Sequence, residues 1–336
     1  MFGSIGRGKH AETKPAAGEH TEGRPVDDGL GSRIGIALGG GAARGWSHIG
    51  VLRALNEAGL KPGVIAGTSI GAVVGGCYVV GALDDLETFA RSLTRRRVFG
   101  LLDINFSGSG LISGMRLSKL LNTTLGDRRI EDLDRRFVCV ATELATGHEI
   151  WIARGNMAEA IRASYALPGV FQPVRVGGRW LVDGALVNPI PVSVCRAIGS
   201  DIVIAVNLTS DIFGRGTVVQ DHSADPIASR AIDKATTGGI LSGQDARKIL
   251  RRQLLGSDNG PPGIPSVMVE AYNIIQDRIA RSRLAGDPPD ITITPKLGRI
   301  GLFEFHRAAE AIEVGYHVGR RMVPEIKDVI SELTSP

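Results

Sequence analysis

Glycine is concentrated in one early part of the chain, and this concentration limits how that part can fold. Residues 33–82 contain 13 of the 45 glycines in a chain of 336 residues. Because glycine has no Cβ, it permits positive φ angles and lets two backbone segments approach closely. No G-X-Y period accompanies the glycines, which excludes a collagen-like chain. The stretch therefore predicts tight turns between elements that pack closely against each other.

Short apolar runs alternate with stretches of helical periodicity along most of the chain. This alternation predicts an α/β fold with a partly parallel sheet. The predicted strands are 33–38, 64–66, 137–142, its hairpin partner 149–153, the hairpin 174–182, 201–208 and 290–294. The predicted helices are 43–58, 69–83, 84–97, 158–165, one near 240–255, 264–285 and 304–323.

Composition divides the chain into four parts. Residues 1–32 are mainly glycine, proline and charged residues, which predicts a disordered N-terminal tail without the apolar core of a signal peptide. Residues 33–210 form the predicted core of the domain, and 211–262 carry few apolar runs and are predicted to be a mobile excursion. Residues 263–336 are predicted to complete the domain with a helix, a strand and a helix.

Charge and cysteine content argue against several classes of protein. The net charge of +4 is too small for this length to indicate a nucleic-acid-binding protein. Cys77, Cys139 and Cys195 form neither a disulfide framework nor a CxxC metal motif. We expect a cytoplasmic protein without a metal or other cofactor, and with membrane contact only at the surface. Three groups of arginines could meet anionic headgroups or could be ordinary solvated faces, namely Arg95–Arg97, Arg251-Arg252 and the cluster of Arg278, Arg281 and Arg283.

One uncharged stretch needs to be distinguished from a transmembrane helix. Val64–Leu83 contains 20 residues without a charge, which is long enough to span a bilayer. Pro62 and Gly63 come just before it, and a GTSIG turn lies in its first half. We therefore interpret it as a buried strand followed by a buried helix.

The first candidate for chemistry is the segment GGGAARG, from Gly39 to Gly45, between a predicted strand and a predicted helix. Unpaired amides at a helix N-terminus favour an anion, which could be a nucleotide phosphate or the oxyanion of an acyl-transfer intermediate. The dinucleotide pattern GxGxxG fails because Ala42 replaces a glycine, and no Gly-Lys-Ser/Thr follows as in a P-loop. A tight turn without any ligand remains the alternative.

The second candidate is Gly67-Thr68-Ser69-Ile70-Gly71, a GxSxG that follows a buried strand and opens a helix. This is the setting in which a serine becomes an exposed nucleophile on a strained turn. A nucleophilic serine needs a base. None of the histidines at 148, 222, 306 and 317 lies in a loop after a late strand, and we interpret His48 as a local structural contact.

The third candidate is Asp183, followed by Gly184 and Ala185 at the end of a predicted hairpin strand. Two small residues after a carboxylate let it be held tightly against another turn, where it could accept the Ser69 proton directly. An ordinary Asp-Gly turn is the alternative if the motif is considered alone.

The three motifs in this order resemble the patatin-like phospholipases, and the bacterial branch related to the neuropathy target esterase catalytic domain is the most similar. The resemblance extends to ARGWSHIG at 43–50, to ASYALPGVFQPV at 163–174, and to DPPDITITP and FEFHRAAEAIEVG in the C-terminal part. It implies a three-layer patatin-like fold with a mainly parallel central sheet flanked by helices. Ala42 stands where many relatives have another glycine, but the amides of Gly39–Gly41 are retained.

The resemblance also implies roles for individual residues. Ser69 is the expected nucleophile and Asp183 the expected general base, while the amides of Gly39, Gly40, Gly41 and Ala42 are expected to form the oxyanion hole. The expected supporting residues are Arg44, Gly67, Gly71 and Gly184. The implied activity is hydrolysis of a phospholipid or lysophospholipid ester. A thioesterase or an acyltransferase using the same dyad, and a non-catalytic regulatory protein, are the alternatives.

Overall fold

A computed structural model describes residues 33–94, 115–210 and 264–334. The predicted tail at 1–32, the predicted excursion at 211–262 and the helix predicted near 240–255 lie outside these ranges. So do the Arg95–Arg97 run, the Arg251-Arg252 pair and His222.

The core of the fold is one eight-stranded mixed sheet whose centre is parallel. Its pairing order is β5-β6-β3-β2-β1-β7-β8, and β4 also pairs with β3. Four pairings are parallel, namely β1 with β2, β1 with β7, β2 with β3 and β7 with β8. The strands are β1 Ile34–Leu38, β2 Val64–Thr68, β3 Arg136–Glu143, β4 Glu149–Ile152, β5 Val174–Val176, β6 Arg179–Asp183, β7 Ile202–Val206 and β8 Ile291–Ile293.

The long strand β3 brings the ends of two other strands together. Thr68 of β2 pairs with Val140 and Asp183 of β6 pairs with Ala141, the next residue of β3. β4 pairs with both Val140 and Ala141 and therefore occupies the opposite edge of β3. Consequently β2 and β6 lie end to end along the same edge, and their carboxyl ends meet.

Helices cover both faces of the sheet, which gives the three layers that the resemblance implies. Helices α1, α2, α3, α4, α5 and α8 contribute to the larger hydrophobic cluster, whereas α6 and α7 pack with a smaller cluster on the other face. The helices are α1 Ser47–Glu57, α2 Ile70–Val79, α3 Leu83–Arg91, α4 Met115–Leu125, α5 Met157–Ser164, α6 Val192–Ala197, α7 Ile264–Gly286 and α8 Ala308–Thr334.

The structure differs from the sequence prediction at a few helices. Helices α4 and α6 were not predicted, and α8 continues past Pro324 to Thr334 although the prediction ended it at residue 323. The predicted strand and helix inside Val64–Leu83 are confirmed as β2 and α2. No helix within the described ranges is both long and apolar enough to cross a bilayer.

Candidate active site

The glycine turn, residues 39–45, follows β1 and is fixed by main-chain hydrogen bonds. Gly39 donates its N–H to the Val206 carbonyl at 3.2 Å, and Gly40 donates to the Pro189 carbonyl at 2.9 Å. These two amides are therefore already used, although the sequence assigned them to an oxyanion hole. Within the described residues, the amides of Gly41 and Ala42 have no hydrogen-bond partner, so they are the members of the predicted set that can receive an anion.

Two residues that are not glycine have a positive φ in the described part of the chain, and they lie in the two predicted functional turns. Ala42 has φ 46°, and Ser69 has φ 57°. A left-handed conformation costs a residue with a Cβ about 1–2 kcal/mol, so it persists only where the surroundings enforce it. Strain of this kind is typical of functional turns, and it coincides here with the predicted nucleophile.

The elbow, residues 67–71, packs against the glycine turn. A Cβ on Gly71 would lie 2.0 Å from the Leu38 carbonyl oxygen, and a Cβ on Gly67 would lie 2.5 Å from the Ala72 Cα. Both distances are far below van der Waals contact, so only glycine fits at either position. The predicted supporting role of these two glycines therefore has a steric reason.

A serine from α5 holds the elbow from outside. The Ser69 amide donates to Ser164 Oγ at 2.9 Å, and Ser164 Oγ donates to the Val140 carbonyl at 2.6 Å. Ser164 is completely buried. It therefore fixes the backbone of Ser69 relative to β3.

Asp183 lies directly against the Ser69 hydroxyl. Ser69 Oγ donates to Asp183 Oδ2 at 2.6 Å, and the Ala185 amide donates to Asp183 Oδ1 at 2.8 Å. The backbone of Asp183 is also held, because its amide donates to the Ala166 carbonyl. A Cβ on Gly184 would lie 2.2 Å from the Val140 carbonyl oxygen, so this position also needs glycine.

Burial makes Asp183 a stronger base than an exposed aspartate. Loss of solvent raises its pKa from 3.8 to about 6, against the opposing effects of the Ser69 hydroxyl, the Ala185 amide and the Tyr272 hydroxyl. A carboxylate with this pKa is mostly ionised at neutral pH. A general base works best when its pKa lies near the operating pH, and a pKa of about 6 is closer to neutral pH than that of an ordinary aspartate.

The serine and the aspartate open onto an apolar cavity. Most of its wall consists of apolar and aromatic side chains, for example Trp46, Phe89 and Phe171. Such a cavity suits a long hydrocarbon chain better than a polar or charged ligand.

Sequence reasoning did not identify two polar residues in the wall of this cavity. Tyr272 and Gln276 come from α7, one helical turn apart, and line the cavity together with Ser69 and Asp183. Neither lies in a glycine-rich turn or beside a recognisable motif. The only sequence signal available was their four-residue spacing on a predicted helix.

The Ser69 hydroxyl bonds to Asp183, and none of the described histidines lines the cavity beside it. His48 is fully buried, and its Nε2 is 2.8 Å from the Gly39 carbonyl oxygen. Burial lowers its pKa to about 4, so the ring is neutral at pH 7 and donates from Nε2. His148 contacts Thr146 in the β3–β4 turn, His317 pairs with Glu313, and His306 lies in the turn before α8.

Arginines that the sequence suggested for other roles have specific partners. Arg44 is buried and donates from Nε to the Ile300 carbonyl at 2.8 Å, which ties the glycine turn to the C-terminal part. In the proposed headgroup cluster of α7, Arg281 pairs with Asp277 and Arg283 pairs with Glu149. Arg278 is exposed.

The described ranges contain no group of three or more His, Cys, Asp or Glu side chains that could hold a metal ion.

Comparisons with known proteins found one family model, several curated proteins and solved structures that are similar to this chain. Residues 36–196 match a family model described as patatin-like phospholipase. An uncharacterized NTE family protein of Mycobacterium tuberculosis is 34% identical over 322 residues, which cover 84% of this chain and 89% of that protein. A lysophospholipase of Emericella nidulans is 28% identical over 303 residues, which cover 88% of this chain and 18% of that protein. The crystal structure of VipD from Legionella pneumophila has a TM-score of 0.45 at 16% identity and covers 88% of this chain and 67% of that one.

Proposed function

The chain belongs to the patatin-like phospholipase family, among the NTE family proteins, and from this premise we propose that it is a serine lipid acyl hydrolase. The proposed substrates are phospholipids or lysophospholipids, and the proposed catalytic pair is Ser69 and Asp183. The observation that carries this proposal is the 2.6 Å hydrogen bond between Ser69 Oγ and Asp183 Oδ2, at the wall of an apolar cavity.

The proposed reaction has two halves on the same two side chains. Ser69 Oγ attacks the ester carbonyl while its proton passes to Asp183, and the tetrahedral intermediate collapses to an acyl-serine. The proton on Asp183 then goes to the alcohol that leaves. In the second half, Asp183 takes a proton from water, which attacks the acyl-serine and releases the fatty acid.

The glycine turn is proposed to stabilise the negative oxygen of the intermediate. The Gly41 and Ala42 amides are its candidate donors because, in the described part of the chain, they have no other partner. Gly40 lies beside the nucleophile, since a Cβ there would be 3.6 Å from the Ser69 Cβ. Losing one such donor costs about 10²–10³ in rate in enzymes of this kind.

The cavity is proposed to hold the acyl chain. Its apolar wall begins at the nucleophile itself, because Ile70 and Val73 from α2 line it together with Ser69. An acyl chain in this cavity would place its ester carbon next to Ser69 Oγ. The lysophospholipases among the relatives are named for substrates with one such chain.

The test is hydrolysis of phospholipid and lysophospholipid by the wild-type chain and by Ser69→Ala. We expect the substitution to lower kcat at least about 10⁴-fold, as removal of a nucleophile does in serine hydrolases. Ser331→Ala removes an exposed serine from α8 and should retain wild-type activity with an unchanged unfolding temperature.

Probe labelling and product analysis distinguish the alternatives. A fluorophosphonate should label wild-type protein and leave folded Ser69→Ala unlabelled. Labelled phospholipid that yields acylated acceptor in place of free fatty acid would show acyl transfer. Unchanged hydrolysis by Ser69→Ala, or a folded wild-type protein that neither hydrolyses lipid nor reacts with the probe, would overturn the proposal.

A further inference from the structure

Helix α7 adds one more polar group to the site, the hydroxyl of Tyr272. The helix packs against the short turn Gly184–Leu186 that directly follows Asp183. Tyr272 and Asp183 line the same cavity, and Gln276 lies beside Tyr272 one turn further along. The position of Tyr272 is therefore set by the same turn that fixes the carboxylate.

The Tyr272 hydroxyl is buried without a hydrogen bond of normal geometry in this structure. A buried hydroxyl without a partner is costly, and phenylalanine would fill the same volume without that cost. Hydrogen bonds in an empty active site are often long and shorten when substrate binds. An unsatisfied hydroxyl in the same cavity wall as the Asp183 carboxylate indicates such a contact.

We propose that Tyr272 is a positioning residue that acts through Asp183, with its hydroxyl as a third hydrogen-bond donor to the ionised carboxylate. The other two donors are the Ser69 hydroxyl and the Ala185 amide. Asp183 has to be ionised to accept the serine proton, so a donor that stabilises the ionised form keeps the pair ready to react. This inference rests on the proposed function of Ser69 and Asp183.

No charged side chain acts on Asp183 from the described elements, so the loss of one hydroxyl should change its pKa measurably. The groups that act on it from the described elements are neutral: Ser69 from the elbow, the Ala185 amide and Tyr272 from α7. Thr142 of β3 donates to the main-chain carbonyl of Asp183 and is neutral as well. Tyr272 is the one titratable group among them, and its own pKa is raised well above 10 by burial and by the nearby Asp183.

The expected sign of the effect follows from these contacts. The Tyr272 hydroxyl favours the charged form of Asp183, so its removal should raise the pKa of the carboxylate above its wild-type value of about 6. The acid side of the profile of kcat/KM against pH should then move to higher pH. We expect a shift of about one pH unit for Tyr272→Phe, the size typical of one hydrogen bond to a charged group.

The experiment measures kcat and KM for lysophospholipid from pH 4.5 to 9 in wild type and in Tyr272→Phe. At pH 5 the kcat/KM of Tyr272→Phe should be about tenfold below that of the wild type. At pH 8.5 its kcat should approach the wild-type value, with KM little changed. A purely structural role would lower activity equally at all pH values. Tyr272→Met, which also lacks the hydroxyl, is measured in parallel and should show the same shift.

Tyr165→Phe is the matched control. Tyr165 is buried in the wall of the same cavity, and its ring stacks edge-on against Phe171. Its hydroxyl does not act on Asp183. Its removal should therefore leave the position of the acid limb unchanged, whatever it does to KM.

The outcomes separate this inference from the proposed function. If Ser69→Ala is inactive and the acid limb coincides in wild type, Tyr272→Phe and Tyr272→Met, the inference is overturned and the hydrolase proposal stands. If wild-type hydrolysis does not depend on Ser69, the proposed function itself fails. The pH dependence of fluorophosphonate labelling gives the same shift without turnover, so it also serves for a variant with low activity.

Discussion

The two functional turns lie side by side but are held in different ways. The glycine turn is fixed mainly through its backbone, by the carbonyls of Val206, Pro189 and Leu302. The elbow is fixed through side chains, because Ser164 holds its amide and Asp183 holds its hydroxyl. The glycine turn offers main-chain amides, whereas the elbow offers one side chain.

This difference predicts where substitutions should matter. Side chains in the glycine turn can change as long as its backbone path survives, since its donors are amides. In the elbow, the proposed nucleophile and the groups that hold it are side-chain atoms, so a single replacement removes them. Three further substitutions test this contrast, beginning with the one expected to have the largest effect.

Gly71→Ala should have the largest effect on stability because it pushes the two turns apart. The new Cβ would lie 2.0 Å from the Leu38 carbonyl oxygen, which belongs to the backbone of β1 and cannot rotate away. We expect a loss of about 3 kcal/mol or more in the free energy of unfolding. Activity should fall about 10²-fold or more, because a displacement of about 1 Å at a catalytic group has that effect.

Gly286→Ala is the control for Gly71→Ala. Gly286 ends α7 with open space around it. We expect its stability to change by less than about 1 kcal/mol. Urea unfolding of both variants measures the difference, and near-wild-type stability of Gly71→Ala would contradict the steric argument.

Asp183→Asn should stabilise the folded chain at neutral pH while it abolishes hydrolysis. The folded-state pKa of about 6 lies above the ordinary value of 3.8, so the wild-type protein loses stability as the pH rises through this interval. Asparagine has no carboxyl group to ionise, so the variant does not lose stability in this way. The unfolding free energy of Asp183→Asn relative to that of wild type should therefore rise by about 2 kcal/mol between pH 4 and pH 7.

Urea unfolding of wild type and Asp183→Asn at pH 4, 5.5 and 7 provides the measurement. Comparing the two proteins at each pH cancels the titration of all other groups. A difference in unfolding free energy that stays constant with pH would show that Asp183 does not carry a raised pKa.

Ala42→Gly should have the smallest effect. Glycine relieves the positive φ of 46° but loses more entropy on folding, and the two terms are of similar size, about 1 kcal/mol each. We expect stability within about 1 kcal/mol of wild type and hydrolysis within about threefold. The neighbouring Ala43 has no positive φ, so Ala43→Gly should be clearly more destabilising. Equal losses in the two variants would show that Ala42 is not strained.

The sequence was most informative where function depends on adjacent residues. Both turns could be recognised because their glycines, the serine and the strand–turn–helix order lie within short segments. The buried strand and helix of Val64–Leu83 could be recognised for the same reason. Helix α4 was not predicted, although Leu117, Leu121 and Leu125 recur at a spacing of four residues and the last two pack into the core.

The rest of the site depends on residues that are distant in the chain. Which amides of the glycine turn remain available is decided by the carbonyls of Val206 and Pro189, more than 140 residues away. The meeting of Ser69 with Asp183 depends on the way β2 and β6 share one edge of β3. Tyr272 and Gln276 look like ordinary helical positions until α7 is packed against the turn after Asp183.

The bond between Arg44 and the Ile300 carbonyl has a consequence for genetics. It joins the glycine turn to a segment 256 residues later in the chain, and the Ala43 amide is bound to the neighbouring Leu302 carbonyl. A screen for inactive alleles should therefore recover changes around residues 297–302, far from any recognisable motif. Such alleles would leave every catalytic side chain intact and still misplace the amides that those side chains depend on.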